Sequence, residues 1–313
     1  MAGIFLTKQK FGSRGRFANR PLLFLCASLG IACGGPSPEE YIHQLKSLQK
    51  AERTKAANQL IRFDADEVVP LLIEEADSGY IRVRFEVMHL LGRFEDERAV
   101  PTLIEGLKDK SPRVAATAAW ALGQIGAPAA LGPLLRYVRD PTVEVRQYVL
   151  GALGPCHSYE AESALSDSAF RVVRRALRAP KPKWRIAALQ SLRAYGYRDA
   201  VQEVIRMSLD PSNEVRYVAV QALGQIGRAS HRRPARNAIY EALLVALDAD
   251  ELQSIRSKAM HALAEAGDKR AVPHLQQLMR EGTEEDQIAA RLALYKLSPQ
   301  VAEAMRATEL GAR

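Results

Sequence analysis

The chain of 313 residues repeats one apolar pattern along most of its length. A leucine in the same apolar context recurs at one constant spacing, as from Leu91 to Leu122, and the spacing is longer only before Leu192 and Leu263. Around Leu122 and Leu223, apolar residues stand eight, four and one positions before the leucine and three after it, the spacing of one helix face. These landmark leucines are Leu60, Leu91, Leu122, Leu153, Leu192, Leu223, Leu263 and Leu294. Such a period predicts stacked helix pairs, each of which buries its apolar face against its neighbours.

A second helix precedes the one that carries the leucine. In the near-copies Asp96–Leu103 and Asp268–Leu275, and again at Pro70, a proline stands at the same offset before the landmark leucine. Proline is tolerated in the first turn of a helix, where N–H groups have no intrahelical partner, so these prolines predict helix starts. The fold class is therefore all-α: an α-solenoid of about eight helix pairs, each pair consisting of a helix A and a helix B.

Glycines follow the landmark leucines at two offsets. Gly126 and Gly227 are four residues beyond their leucines and predict the ends of B helices. The glycines directly after a leucine predict close approach of neighbouring helices because they lack a side chain. They are Gly92, Gly123, Gly154 and Gly224.

The N-terminal segment that precedes Cys33 differs from the rest. It contains five basic residues and no acidic residue, and it ends in an apolar run from Pro21 to Ala32. A basic start, a short apolar run and small residues before a cleavage point are typical of an export signal, and the run is too short to span a bilayer as a helix. The five basic residues are Lys8, Lys10, Arg14, Arg16 and Arg20.

The segment Leu29-Gly30-Ile31-Ala32-Cys33 resembles the lipobox of bacterial lipoproteins, although its leucine is one residue early. The resemblance implies that Cys33 becomes a lipidated first residue; ordinary signal peptidase would also leave Cys33 first. We expect a cleaved signal peptide at 1–32, the lipidated cysteine and a tether at 33–38, the solenoid at 39–298 and a C-terminal cap or tail at 299–313. Gly34 after the cysteine resembles the pattern of outer-membrane lipoproteins, so we expect a lipid-anchored envelope protein, in the outer membrane rather than the inner.

Removal of the leader changes the charge balance. The formal net charge is +8 for the whole chain, and loss of five positive charges leaves +3. A basic whole-chain balance is therefore weak support for nucleic-acid binding. Of the three cysteines, Cys26 leaves with the leader and Cys33 is modified, so Cys156 has no partner for an intramolecular disulfide.

The B-helix pattern, the A-helix prolines and the Asp-Pro-x-x-Glu-Val-Arg runs at 140–146 and 210–216 resemble HEAT-like repeats, of the short type found in phycobilisome bilin lyases. The resemblance covers about residues 38–298. It implies a structural ladder between an aspartate at the A-to-B turn and an arginine six residues later: Asp140 with Arg146, Asp210 with Arg216 and Asp250 with Arg256. Arg53, Arg84 and Arg185 occupy the arginine position without that aspartate, and Asp109 has Ala115 at the arginine position, which predicts a weaker ladder there.

The sequence contains no strong catalytic or metal motif. Its six histidines show no H-x-x-x-H or H-E-x-x-H spacing, and no C-x-x-C pair, phosphate loop or G-x-S-x-G elbow is present. HEAT-like deoxyhypusine hydroxylases bind iron through His-Glu dipeptides, which this chain lacks. Cys156 followed by His157 is a weak nucleophile candidate, and a structural cysteine is the expected interpretation. We expect no cofactor, no metal and no enzymatic activity.

Two surfaces are candidate binding sites. Residues two and six before the landmark leucines should face the concave side of the solenoid, where aromatic and amide side chains suit a peptide ligand: Phe85, His89, Trp120, Gln147, Gln190, Tyr217, Gln221 and His261. The alternative is that Phe85 and Trp120 complete the packing between repeats. The two longer spacings predict protruding loops near a basic edge: Arg171, Arg174, Arg175, Arg178, Lys181, Lys183, Arg232, Arg233 and Arg236. This edge suits an anionic headgroup or an acidic protein, and the alternative is a solvated convex face.

These features favour a non-enzymatic, membrane-anchored interaction scaffold of the bacterial envelope, with other envelope proteins as partners and no nucleic acid. One alternative is a bilin-lyase-like enzyme subunit acting on a tetrapyrrole, against which export argues. Another is a cytoplasmic nucleic-acid-binding protein that resembles HEAT-like alkylpurine glycosylases, against which the reduced charge argues.

Overall fold

The computed structural model describes residues 35–156, 164–194, 200–229, 233–248 and 252–301. Within these ranges the chain forms sixteen α-helices, four 3-10 turns and no strand. The A helices are α1 (Pro38–Gln44), α3 (Ala65–Glu74), α5 (Val100–Gly106), α7 (Leu131–Arg136), α9 (Ala164–Ala176), α11 (Val201–Met207), α13 (Arg233–Asp248) and α15 (Val272–Glu281). The B helices are α2 (Lys50–Leu60), α4 (Ile81–Phe94), α6 (Pro112–Ile125), α8 (Val143–Leu153), α10 (Pro182–Ala194), α12 (Asn213–Ala229), α14 (Gln253–Ala266) and α16 (Glu284–Leu297). The predicted all-α solenoid of eight helix pairs is confirmed.

The core runs along the whole array between the two layers of helices. Every landmark leucine, from Leu60 to Leu294, is fully buried. Burial of one such side chain contributes about 1.5–3 kcal/mol, so each repeat is stabilised through its contact with the next.

The B helices form the closely packed layer. From α4 to α16 each B helix packs against the next one, whereas successive A helices touch at fewer points. A Cβ on Gly92 would lie 2.7 Å from the Cβ of Ala121, and one on Gly224 would lie 2.8 Å from the Cα of Ala262. The close approach predicted at these glycines is confirmed. Because the more tightly spaced layer of a curved array lies on its inner side, the B helices are the layer expected to line the concave face.

Helix ends agree with the glycine pattern only in part. Gly126 follows α6 with a left-handed φ of 71°, as predicted, and Gly267 follows α14 in the same way. The predicted helix end at Gly227 is wrong, because α12 continues to Ala229. A Cβ on Gly227 would lie 2.7 Å from the Cβ of Ala266, so this glycine permits close packing.

The prolines of the A helices also divide into two kinds. Pro101 and Pro273 lie in the first turns of α5 and α15, as expected. Pro70 lies inside α3, which begins at Ala65, so the helix start predicted there is wrong.

An aspartate caps the turn before each of the two near-copied A helices. Asp96 accepts a hydrogen bond from the backbone N–H of Arg98 and pairs with its guanidinium at 2.6 Å. Asp268 and Arg270 repeat this arrangement with the same 2.6 Å ion pair. The hydrogen bonds from the arginines hold the pKa of both carboxyl groups below the usual range. The two sequence copies are therefore structural copies.

Candidate functional site

An aromatic column lies at the N-terminal end of the concave face. Phe85 and His89 are one turn apart on α4 with parallel rings 6.4 Å apart, and the ring of Trp120 on α6 lies 5.1 Å from His89. The guanidinium of Arg113 lies 4.0 Å from the centre of the Phe85 ring. The three stacked rings are half-buried, so each packs on its neighbour and keeps an exposed part. The rings therefore pack between repeats, as the alternative for Phe85 and Trp120 expects, and their role as a contact surface remains a prediction.

Burial also sets the charge of His89. Desolvation lowers the pKa of its imidazole, an effect that Arg93 reinforces and Glu86 opposes. The ring is therefore mainly neutral at pH 7, which suits its position between two other rings.

The rest of the concave face is more polar and more open. Gln190, Gln221 and His261 are exposed, and Gln147 is half-buried. The Tyr217 ring is exposed and has the ammonium of Lys258 4.7 Å from its centre. All eight candidate residues of this surface thus lie on B helices from α4 to α14. Their binding role remains a prediction.

The predicted basic edge divides into exposed and paired residues. Arg171, Arg175, Arg178, Lys181, Lys183 and Arg233 are exposed, and Arg178 lies beyond the end of α9. Arg174 is also exposed and forms an ion pair with Glu203. Arg236 donates to the carbonyl of Ala266 at 3.4 Å. Arg232 lies outside the described residues.

Arg84 is a ladder arginine that contacts both its own A-to-B turn and the next repeat. The Nη1 of Arg84 donates to the carbonyl of Ser78, six residues earlier, at 2.8 Å. Its Nε and Nη2 donate to both carboxylate oxygens of Asp109, in the next repeat, at 2.6 and 3.0 Å. These side chains are only 17% and 10% exposed, and the hydrogen bonds from Arg84 lower the pKa of the Asp109 carboxyl. One arginine therefore ties its own A-to-B turn to the following repeat.

The same arrangement recurs further along the array. Arg185 donates to the carbonyl of Ala179 at 2.7 Å and to the carboxylate of Asp210 at 2.7 Å. Asp109 and Asp210 each stand 25 residues after their arginines. Arg256 has a similar but more distant partner along the chain, the carboxylate of Asp286, at 3.1 Å.

This register corrects the predicted pairings within a repeat. The expectation that Asp109 lacks a partner is wrong, because the partner is Arg84 of the preceding repeat. The carboxylate of Asp210 pairs with Arg185, while Arg216 donates to the backbone carbonyl of Asp210 at 3.0 Å.

The remaining two predicted pairs have different outcomes. The carboxylate of Asp140 accepts from the N–H of Thr142, and the guanidinium of Arg146 lies 4.6 Å from the centre of the Trp184 ring. Asp250, the expected partner of Arg256, lies outside the described residues.

An open groove of about 590 Å³ lies where α2 and α4 begin. Four cationic side chains line it, those of Lys50, Arg53, Arg82 and Arg113, with the single carboxylate of Glu86. Its other walls include Phe85 of the aromatic column and the side chains of Tyr80 and Ile81, each 54% exposed. The groove is therefore basic, partly apolar and continuous with the aromatic column.

Neither a metal site nor a reactive thiol is found in the part of the chain that the structure describes. No group of three His, Cys, Asp or Glu residues there could hold a metal ion. The thiol of Cys156 is fully buried and donates to the carbonyl of Leu122 at 3.3 Å. Burial raises its pKa to about 12, so the thiolate is scarce at pH 7. This geometry supports the structural interpretation of Cys156.

The N-terminal predictions fall outside the described residues. Cys33 and the signal-like segment 1–32 belong to this undescribed part. Among the described helices, none has both the length and the apolar character needed to cross a bilayer.

Comparison with protein families matches three stretches of the chain, 69–154, 171–234 and 209–295, to HEAT repeats. Together they cover more than half of the 313 residues. The chain belongs to the HEAT-repeat family.

Three solved structures are similar to this chain. Escherichia coli YibA is similar with a TM-score of 0.55 and 20% identity, over 84% of this chain and 92% of that chain. The complex of CpcE and CpcF of phycocyanin lyase from Nostoc sp. has a TM-score of 0.50 and 19% identity, over 84% and 96%. Human deoxyhypusine hydroxylase has a TM-score of 0.37 and 22% identity, over 83% and 95%. At these identities the likeness to the first two structures shows the fold alone. No curated protein matches the sequence significantly.

Sequence reasoning missed two features of this HEAT-repeat surface. Ile288 and Leu292 on α16 are each 54% exposed and stand six and two residues before Leu294, so the offset rule extends the concave face to the last repeat. The second feature is the pairing of a ladder arginine with an aspartate 25 residues later. This spacing is visible in the sequence between Arg84 and Asp109 and between Arg185 and Asp210.

Proposed function

We propose that this HEAT-repeat protein is a non-enzymatic, membrane-anchored scaffold of the bacterial envelope that holds other proteins on its concave face. The observation that carries the proposal is the continuity of that face. Half-exposed rings of Phe85, His89 and Trp120 at one end lead to exposed amide and phenol groups on the following B helices. Aromatic anchors next to hydrogen-bonding groups suit an extended peptide segment, because rings supply most of the energy and amides set the register.

The anchor would act by confinement. A lipidated Cys33 holds the solenoid at a membrane, since each buried CH₂ contributes about 0.8 kcal/mol and several acyl chains are carried together. A partner in the same membrane then meets a rigid array with several contact points, and its second contact forms at a high effective concentration. Modest individual contacts are sufficient under these conditions.

Site-specific photocrosslinking in the native cell tests the concave face. A photoreactive residue is placed at Gln221, exposed on the concave side of α12, and in a matched variant at Gln202, exposed on the A helix α11. We expect discrete protein adducts from position 221 and none from position 202. Equal adducts from both positions, or none from 221, would contradict a concave binding face.

Membrane fractionation followed by intact-mass measurement tests the anchor. We expect the natural protein in the membrane fraction with an acylated N-terminal Cys33, and the Cys33→Ala variant without the lipid mass and outside that fraction. A chain that retains Met1 and stays out of the membrane fraction would refute the anchor and leave the concave face as a separate question.

The two alternative functions have less support. The likeness to phycocyanin lyase lies at 19% identity and shows the fold alone. The basic edge, which a nucleic-acid function would use, has Arg174 paired with Glu203 and Arg236 bonded to a backbone carbonyl. The scaffold is therefore the function to test first.

A further inference from the structure

Within the described residues, Arg53 and Arg146 lack the carboxylate that the next repeat supplies to Arg84. In Arg84 and Arg256 the Nε–Nη2 edge of the guanidinium donates to a carboxylate supplied by the next repeat. The opposite nitrogen of Arg84, Nη1, donates to the backbone carbonyl of Ser78, six residues earlier. The guanidinium is thus fixed by its own turn and presents a two-donor edge to a carboxylate.

Arg53 has the first half of this arrangement without the second. Its Nη1 donates to the carbonyls of Ser47 and Leu48 at 2.9 and 3.0 Å, the counterpart of the bond from Arg84 to Ser78. At the register where Asp109 and Asp210 stand for the other arginines, the chain has Ser78. Within the described part of the chain the Nε of Arg53 is buried and has no hydrogen-bond partner. The Nε of Arg185 is also unpaired, although its Nη2 binds Asp210, so it is the register of Ser78, and not this atom, that shows the missing carboxylate at Arg53.

The surroundings of Arg53 are open to a ligand. Arg53 lines the groove of about 590 Å³, with Lys50, Arg82 and Arg113 as further cations. At Arg146 the Trp184 ring instead stacks on the guanidinium at 4.6 Å. At Arg53 the missing carboxylate therefore coincides with an open groove.

We propose that an Asp or Glu side chain of a partner protein completes the ladder at Arg53, with an apolar neighbour of that residue packed on Tyr80 and Ile81. The proposal rests on the scaffold function above and deepens it, because it states the chemistry of the partner segment. Tyr80 and Ile81 are each 54% exposed and stand on the wall of the same groove, so an acidic residue beside an apolar one fits both parts at once.

Two observations favour a carboxylate on a peptide over the phosphates of a nucleic acid. The donor edge of Arg53 corresponds to the edge that binds a carboxylate in Arg84 and Arg256. The groove also contains Glu86, which repels a polyanion more strongly than a single carboxylate, and its apolar wall adds nothing to a phosphate backbone.

A substitution that supplies the missing carboxylate from within the chain gives a direct test. Ser78→Asp puts a carboxylate at the register of Asp109, where the aspartate also accepts the N–H of the residue two positions on. Ser78→Asn is the matched control, because asparagine has the shape of aspartate and can accept the same backbone N–H but carries no charge. We expect Ser78→Asp to raise the Tm of the protein and to block the groove, and Ser78→Asn to do neither.

The probe is a phage-displayed library of random dodecapeptides, selected on the purified full-length protein. We expect enrichment of peptides with Asp or Glu beside an apolar residue. The best peptide is synthesised with its acidic residue intact and replaced by the amide, and binding is measured by fluorescence anisotropy. The amide peptide and the Ser78→Asp variant should each weaken binding about 10-fold or more, the effect expected for a charge-assisted pair. Ser78→Asn, and Lys55→Gln at an exposed lysine of α2, should stay within about twofold of the natural protein.

Several results would overturn the proposal. They are selection of peptides without an acidic residue, binding that Ser78→Asp leaves unchanged, a Tm that Ser78→Asp does not raise, and tighter groove-dependent binding of a short DNA duplex than of the peptide. Self-association of the protein that Ser78→Asp abolishes would assign the groove to a second copy and also overturn it. Crosslinks from Gln221 that persist after such a result would show that the scaffold function survives without this groove. If the Gln221 crosslinks are absent while Ser78→Asp still blocks peptide binding, the groove binds an acidic peptide and the proposed scaffold function is wrong.

Discussion

Two glycines on one helix should respond oppositely to the same substitution. Gly151 lies inside α8, and a Cβ added there would meet no atom within 4 Å. Gly154 follows the last residue of α8 with helical angles, φ −67° and ψ −57°, and a Cβ there would lie 2.0 Å from the carbonyl oxygen of Ser191 on α10. Both positions can adopt the backbone of alanine, so only the packing differs.

The magnitudes follow from these distances. Gly151→Ala should stabilise the protein by about 0.5–1 kcal/mol, because alanine loses less backbone freedom than glycine in a helix. Gly154→Ala has the same gain but forces α8 and α10 apart, since a Cβ closer than 3.0 Å to backbone cannot be accommodated without a shift. Overpacking costs about 1–3 kcal/mol, and a backbone contact that cannot rotate away belongs at the upper end. We expect a net loss of about 2 kcal/mol and a gap of about 3 kcal/mol between the variants.

Urea unfolding followed by circular dichroism measures this gap, with the natural protein as the reference for both variants. The m-value should be the same for all three proteins. A changed m-value would indicate that parts of the array unfold independently, and one free energy of unfolding could then not be compared between variants. A Gly154→Ala variant as stable as Gly151→Ala would refute the close approach of α8 and α10.

Three further predictions concern titrating groups. Asp109→Asn should lower the free energy of unfolding by about 1–3 kcal/mol at pH 7. Arg84 holds the pKa of Asp109 low in the folded state, so this stability is present above about pH 4 and is lost as the pH falls through the lowered folded pKa. The free energies of unfolding of the two proteins, measured by urea titration, should therefore converge in acid. Burial lowers the pKa of His89, so the unfolded state takes up the proton first and the free energy of unfolding should decrease as the pH falls below about 6.5. His89→Gln should flatten this part of the pH profile of stability. An unchanged slope would contradict the burial of the ring. With its pKa raised to about 12, Cys156 should resist iodoacetamide at pH 8 in the native protein and react after denaturation, as read by peptide mass mapping, and rapid native alkylation would refute its burial.

Local repetition explains why the fold could be predicted. The apolar positions around each landmark leucine follow the helical period, and a helix with one apolar face can be satisfied only by stacking on its neighbours. The glycine directly after a leucine indicated the close side of the array before any contact was known, as Gly92 against Ala121 shows. Helix ends were less predictable, because Gly227 and Pro70 suit several positions in a helix and the packing partner decides which one is used.

The candidate site depended more on tertiary structure. The sequence placed Phe85, His89 and Trp120 on one face, but their stacking needed the spacing of α4 and α6. It also placed the ladder arginines correctly, but it did not assign Asp109 to Arg84 or Asp210 to Arg185.

By itself, then, the sequence determined the all-α solenoid, its eight pairs and the apolar face that each B helix buries. Only the tertiary structure decided that the carboxylate for Arg84 comes from the next repeat, and that Arg53 lacks the corresponding carboxylate. The reason is physical: helical periodicity is a local property, whereas an ion pair between repeats depends on how one helix pair is shifted and rotated against the next.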